Sequence, residues 1–425
     1  MNKQKLFGIG RKLLIVLLLA SAILLGRESG YFSGLGERLQ PAAAAGTKTV
    51  SGAESGYAKS ADMVQPLAAV VCTPEGGRYG AAYDGEAVPA VFRRFSADLG
   101  EALGSAGDPQ EISETEFCTE ALCTCGVFLR FGCPQPLELL TACLGAELTG
   151  PAASQKAELL ALRAGDAGVA LFCRTEDGIC FRCETAVSPE GLRSRTEEYT
   201  PNGAYYAFEK EALSGGDACT VLLEGAPAAE LAEVSVPLPA AEERDELLEA
   251  MGMNSFVASS YTEADGTVVY VDEEATLRLS PSGSLYFRRS SLPGSLTPQK
   301  ISDAADAAWR AAARSVGRAM GDGMLTFAGA TVNEGVRSVT VVLDYMVDGI
   351  PVHLREGHAA ELVLRDGEII QAQMNFRRFT RSGEAQTLLP YLQAEAIAAA
   401  AGAGAALEYA DGGDTLHCIW VKADG

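Results

Sequence analysis

The sequence predicts an α+β protein: an N-terminal transmembrane helix, then two extracytoplasmic domains in which antiparallel meander sheets pack against helices. Three observations carry this. Between Gly335 and Phe379, the residues Val339, Val341, Leu343 and Tyr345 alternate along an extended chain, the period of a strand with one buried face. Asp348-Gly349 and Asp366-Gly367 then divide the downstream chain into the runs 350–354, 358–365 and 368–379. Aspartate and glycine accept positive φ cheaply, so each pair marks a hairpin. Upstream, Ala305, Trp309, Ala312, Val316 and Met320 recur every three or four residues. That spacing predicts a helix over 302–320 whose apolar face covers the sheet.

The chain opens with Lys3, Lys5, Arg11 and Lys12 ahead of LLIVLLLASAILLG, residues 13–26. A basic flank before an apolar run is an export signal with its charged end held in the cytoplasm. Fourteen helical residues reach only about 21 Å, so Leu6, Phe7 and Ile9 are needed to lengthen the span. The small residues at 41–46 lie beyond Arg27, Glu28 and Arg38, too far from the apolar run to suit signal peptidase. The expectation is an uncleaved single-pass anchor in the cell membrane, meeting the bilayer through 13–26, with the body outside. Residues 1–47 form the cytoplasmic tip, anchor and stalk; 48–236 form a cysteine-rich domain and 237–425 a second domain.

Within the body, 64–72 and 78–83 read as strands around Glu75-Gly76-Gly77, and 89–103 as a helix with Val91, Phe92, Phe95 and Leu99 on one side. A helix is expected over 112–124, with Ser113 and Glu116 forming a capping box. A strand over 126–131, a helix over 136–148 and a hairpin about Asp177-Gly178 come next, then short strands at 203–208 and 221–223. Pro237 and Pro239 interrupt any continuous element and place the domain boundary. Beyond it come a helix over 242–251, strands at 257–261, 267–271, 276–279 and 284–288, a helix over 387–400, and strands near 407–409 and 415–421.

Acidic residues number 56 against 34 basic, a net charge of −22, which disfavours nucleic acid or an anionic surface as partner. A hydrophobic fraction of 48% argues for a folded body. Ten of the 11 cysteines fall between Cys72 and Cys219, and only Cys418 comes later, which supports a boundary near 220–240. Cys180 and Cys183 have redox spacing, but a strand would send them to opposite faces, beyond disulfide reach. Cys118, Cys123, Cys125 and Cys133 could be gathered by a helix-to-strand turn, as buried thiols, a disulfide or a zinc site. Cys173 and Cys180 are expected as diagonal neighbours on one hairpin face. His353 and His358 flank Arg355-Glu356-Gly357, but no HExxH pattern accompanies them, and His417 stands apart. There is no nucleophile elbow, phosphate loop or dinucleotide glycine pattern. No catalytic, cofactor or metal residue is therefore assigned, and the chain is read as a binding protein and not an enzyme.

The segments GVFLRFGCPQPLELLTACLG (126–145), LLEAMGMNSF (247–256) and the meander 261–287, with VTVVLDYMVDGIPVHL (339–354), AELVLRDGEIIQAQMNFRRF (360–379) and the final twenty residues, resemble the YycH/YycI group. These are membrane-anchored extracytoplasmic regulators of a sensor histidine kinase in Gram-positive bacteria. The hairpin around DGIPV is also similar to PepSY-type modules, and the ten-cysteine first half is unusual for the group. The resemblance implies a non-enzymatic role through contact with a membrane protein, either a sensor histidine kinase or a second anchored regulator. Arg355 and Glu356, exposed neighbours of the packed sheet residues Tyr345, Ile350, Val352, Leu354 and Phe376, are the candidate interaction surface. Envelope assembly or ligand binding is the alternative, with a metal-dependent or thiol enzyme behind it.

Overall fold

A computed structural model of the 425-residue chain describes residues 62–148, 151–240, 243–290 and 300–423. The anchor expected over 13–26 and its stalk lie outside the described residues. Among those described, no helix is long and apolar enough to cross a membrane. The chain is mixed α+β with mostly antiparallel sheets, as its hairpin signals predicted.

The first part supplies strands β1 (Pro66–Cys72), β2 (Arg78–Ala82), β3 (Gln110–Ile112), β4 (Gly126–Pro136), β5 (Lys156–Ala164), β6 (Val169–Thr175) and β7 (Cys180–Glu184), with a small pair, β8 (Tyr205–Tyr206) and β9 (Val221–Leu222). Helices α1 (Ala87–Gly104), α2 (Leu137–Cys143) and α3 (Pro189–Thr196) accompany them. Seven strands pair in the order β2-β1-β4-β5-β6-β7-β3. One face carries Val71, Leu129, Leu160 and Leu171 against Phe92, Phe95 and Leu99 of α1 and Leu140 of α2. The other carries Val70, Phe128, Ala161 and Phe172 against Phe117, Leu122 and Tyr206. Burial on both sides explains why β1 is apolar throughout and does not alternate.

Sequence reasoning passed over β5. Its sequence KAELLALRA is made of strong helix formers, and cross-strand packing between β4 and β6 overrides that preference. The helix expected over 112–124 is also corrected. Ile112 ends β3, and the capping box of Ser113 and Glu116 opens only one helical turn before a π-type turn over Phe117–Ala121.

The later part adds β10 (Glu230–Ser235), β11 (Ser259–Thr262), β12 (Val268–Val271), β13 (Ala275–Leu279), β14 (Ser284–Arg289), β15 (Gly323–Asn333), β16 (Ser338–Val347), β17 (Ile350–His353), β18 (Ala360–Arg365), β19 (Glu368–Asn375), β20 (Arg378–Ala385), β21 (Ala405–Asp411) and β22 (Thr415–Lys422). Helices α4 (Arg244–Ala250), α5 (Ile301–Arg314) and α6 (Tyr391–Ala399) belong with them. These strands form one sheet in the order β11-β12-β13-β14-β19-β18-β16-β17-β21-β22-β10-β20, with β15 on the other edge of β16. The run from β15 through β16, β17, β21, β22, β10 and β20 returns to its start through a parallel bridge between Gly321 and Phe379. A side chain at Gly321 would place its Cβ 2.2 Å from the Phe379 carbonyl oxygen, so only glycine permits this closure.

Both Asp-Gly turns form as expected, with positive φ at Asp348, Gly349, Asp366 and Gly367. Tyr345, Ile350, Val352, Leu354 and Phe376 share one core with Trp309 of α5. That helix ends earlier than its apolar spacing suggested. Ser315 leaves helical geometry at φ −112 and ψ −95, and its hydroxyl turns back to donate to the Ala311 carbonyl at 2.7 Å. The strand β15, also unanticipated, pairs along the whole of β16 with a bulge between Phe327 and Gly329.

All described residues fall within one compact unit, Tyr57–Gly425, and the boundary expected at 236/237 lies inside it. The strand β10, just before that boundary, pairs with β20 and β22. The Met63 carbonyl accepts from the Phe327 amide at 2.8 Å, tying the start of the first sheet to β15.

Candidate functional site

The candidate surface is the turn after β17. Leu354 and Gly357 form an antiparallel bridge, which leaves Arg355 and Glu356 at the tip, both exposed. The turn is held from beneath by Asn375, the last residue of β19, and by Arg377, between β19 and β20. Asn375 is 1% exposed and Arg377 7%. From Nδ2, Asn375 donates to the carbonyl oxygens of Glu356 (3.3 Å) and His358 (2.8 Å). Its Oδ1 accepts from the Ser284 hydroxyl at 3.0 Å, so both ends of the amide are used. Arg377 reaches the Glu356 carboxylate through Nη2 at 3.0 Å and the Ser282 and Phe376 carbonyls through Nη1 at 3.1 and 2.8 Å. Arg355 donates from Nε to the Asp411 carbonyl at 2.8 Å, which joins the turn to β21.

His358 closes the turn on its other side. Its Nδ1 lies 2.9 Å from Asp344 Oδ1 and 3.2 Å from Oδ2. The hydrogen bond that His358 donates to the Asp344 carboxylate stabilises the imidazolium and raises the His358 pKa above its ordinary value, against a smaller opposing effect of burial. His353, two positions before Arg355, is exposed on β17 and His417 bonds Thr415 on β22, so the three histidines do not converge. Among the described residues, no group of three or more His, Cys, Asp or Glu side chains is placed to hold a metal ion. Sequence reading reached Arg355, Glu356 and the two flanking histidines. It missed Asp344, Asn375 and Arg377, which hold the turn from other strands.

The buried cysteines divide between the two cores. Cys180 packs with the Phe117 and Phe172 cluster, whereas Cys183 packs on the α1 side, so the redox-spaced pair does point to opposite faces. The pairing expected for Cys173 and Cys180 is corrected: Cys180 stands opposite Arg174 and Cys173 opposite Phe181. A one-residue change of register reverses the face, and Cys173 shares its side with Cys183 instead. The sulphurs of Cys118, Cys123, Cys125 and Cys133 do not gather. They approach, respectively, Cys219, Arg78, Thr196 and the Phe327 carbonyl.

A second polar feature lines a cleft of about 680 Å³ beside β4, β5 and β6. Arg174 grips Asp217 with two bonds of 2.7 and 3.0 Å, and Arg130 holds the same carboxylate from the other side. Glu158 lies 3.4 Å from Arg130 and 3.3 Å from Arg174, so two cations and two anions alternate. Burial alone would raise the Asp217 pKa, but the Arg130 charge and the Arg174 bonds outweigh it and hold the carboxyl well below the usual range. An arginine inside each of two apolar strands was the available sequence signal. Elsewhere, the outer side of α6 shows solvent Leu392, Gln393, Ala396 and Ile397, without a charge. Phe256, before β11, is 95% exposed. No family model, curated protein or solved structure matches this chain.

Proposed function

We propose that this chain is a non-enzymatic regulatory or interaction protein that modulates a membrane sensor histidine kinase. It acts on that kinase directly or through a second anchored regulator. The observation that supports the reading best is the turn at Arg355 and Glu356, whose backbone is fixed by Asn375 and whose tip is open to solvent. A surface already held in one conformation loses little freedom on docking. The basic and apolar start of the chain supports attachment to the cell membrane, with the body extracytoplasmic. Attachment would confine both partners and raise their effective concentration, so a small interface suffices. The uncharged outer side of α6 and Phe256 add apolar contact area of the kind interfaces use.

Deleting the protein should change a kinase-controlled output. Wild type should restore that output and Arg355→Glu should not, at equal abundance. An output indifferent to deletion would reject the reading. The alternative, a ligand-binding envelope protein, has the cleft at Arg130 and Arg174 in its favour. Both guanidinium groups there are already neutralised by Asp217 and Glu158, which leaves little charge for an anionic ligand.

A further inference from the structure

Two cysteines that lie 101 positions apart meet inside the second core of the first sheet. The sulphurs of Cys118 and Cys219 are 3.9 Å apart, with 6% and 0% of the residues exposed. Cys118 sits on the π-type turn Phe117–Ala121. Cys219 sits in the turn that runs from Asp217 to Thr220, closed by the Thr220 amide on the Asp217 carbonyl at 3.0 Å. Neither residue belongs to a strand, but the Ala218 and Thr220 carbonyls on either side of Cys219 accept from the Phe208 and Ala207 amides at 3.0 Å, so the approach to the roughly 2.05 Å of a bonded pair falls to side-chain rotation and to the π-type turn.

We propose that Cys118 and Cys219 form a disulfide that clamps the segment carrying Asp217 onto the first sheet. This is independent of the regulatory reading. The clamp would bear directly on the charged cleft, because Asp217 lies two residues from Cys219 and also accepts from the Cys219 amide at 3.1 Å. Fixing Cys219 therefore fixes the carboxylate that bridges Arg130 and Arg174.

Of the two thiols, Cys118 is the less buried. Cys118, as its thiolate, is therefore the first to meet an oxidant. It displaces one thiol from a disulfide-bearing oxidant, either a small molecule or a thiol oxidoreductase, and a mixed disulfide forms. Cys219 gives up its proton and attacks the Cys118 sulphur, releasing the second thiol. The protein loses two electrons and two protons, and the oxidant's disulfide becomes two thiols. Since both sulphurs end buried, exchange takes place while the segment 205–222 closes over the π-type turn.

The test refolds reduced full-length protein in detergent with mixed oxidised and reduced glutathione, quenches with alkylating agent, and maps the peptides without reductant. The expected product is one linked pair of peptides containing Cys118 and Cys219, two hydrogens lighter than the free peptides. Reduction should lower Tm by about 5 °C or more, as expected for closure of a loop this long. Cys118→Ser and Cys219→Ser should each abolish that loss. Alkylation of both cysteines in wild type, or their linkage to other partners, would overturn the proposal.

Discussion

Asn375 holds the main chain on both sides of Gly357, donating from one amide group to the carbonyls of Glu356 at 3.3 Å and His358 at 2.8 Å. Removing that amide takes away both hydrogen bonds that tie the turn's backbone to β19. Asn375→Ala should cost about 1–3 kcal/mol in denaturant unfolding. It should also raise amide hydrogen exchange selectively across residues 354–358. Unchanged exchange in that turn would show that its shape does not depend on Asn375.

Protonation of His358 supports the same turn. Its folded pKa is raised, so the stabilisation from Asp344 is fully present below the unfolded value of about 6.5 and is lost as pH rises through the higher folded value. An NMR titration should find His358 titrating above about 6.5. Asp344→Asn should bring the midpoint down and remove the pH dependence of exchange in the turn. A midpoint that Asp344→Asn leaves in place would contradict the pairing.

The turns at Gly349 and Gly367 have nearly the same geometry, with φ of 79° and 80°, but different surroundings. A Cβ at Gly349 would lie 2.7 Å from the backbone of Asp84 and Gly85, whereas one at Gly367 would meet nothing within 4 Å. Gly367→Ala should cost only backbone strain, about 1–2 kcal/mol. Gly349→Ala should cost more, because the hairpin must move off the loop at Asp84. Equal losses in thermal unfolding would show that the loops part freely.

The strand β10 bears on whether the later half stands alone. It fills the position between β22 and β20, so a fragment that starts at Pro237 leaves both edges open. A fragment beginning near Ala228 should melt cooperatively, and one beginning at Pro237 should aggregate or show no transition. Cooperative melting of the shorter fragment would show that the later half folds without β10.

Much of this fold was legible wherever local chemistry and tertiary packing agreed. Asp348-Gly349 and Asp366-Gly367 announced their hairpins because few other residues adopt positive φ without strain. Trp309 and its helical neighbours announced a buried face. β5 was hidden because Leu, Ala and Glu favour helix in isolation. The strand β10 was hidden by Pro237 and Pro239, which come just after its end and look like a linker. The site was half legible. Arg355 and Glu356 lie beside a recognisable hairpin, but Asn375 and Arg377 support them only through the pairing of β19 with β18 and β14, which no local pattern encodes.

We propose above that the Arg355–Glu356 turn docks on a membrane partner. The most direct measurement places a photocrosslinking amino acid at position 355 of the full-length protein in its own membrane and identifies adducts by mass spectrometry. The expected adduct is with a sensor histidine kinase or a second anchored regulator. That adduct should be lost when residues 1–47 are removed, and reduced severalfold by Asn375→Ala. Irradiation that yields no protein adduct, or only cell-wall assembly proteins, would contradict it.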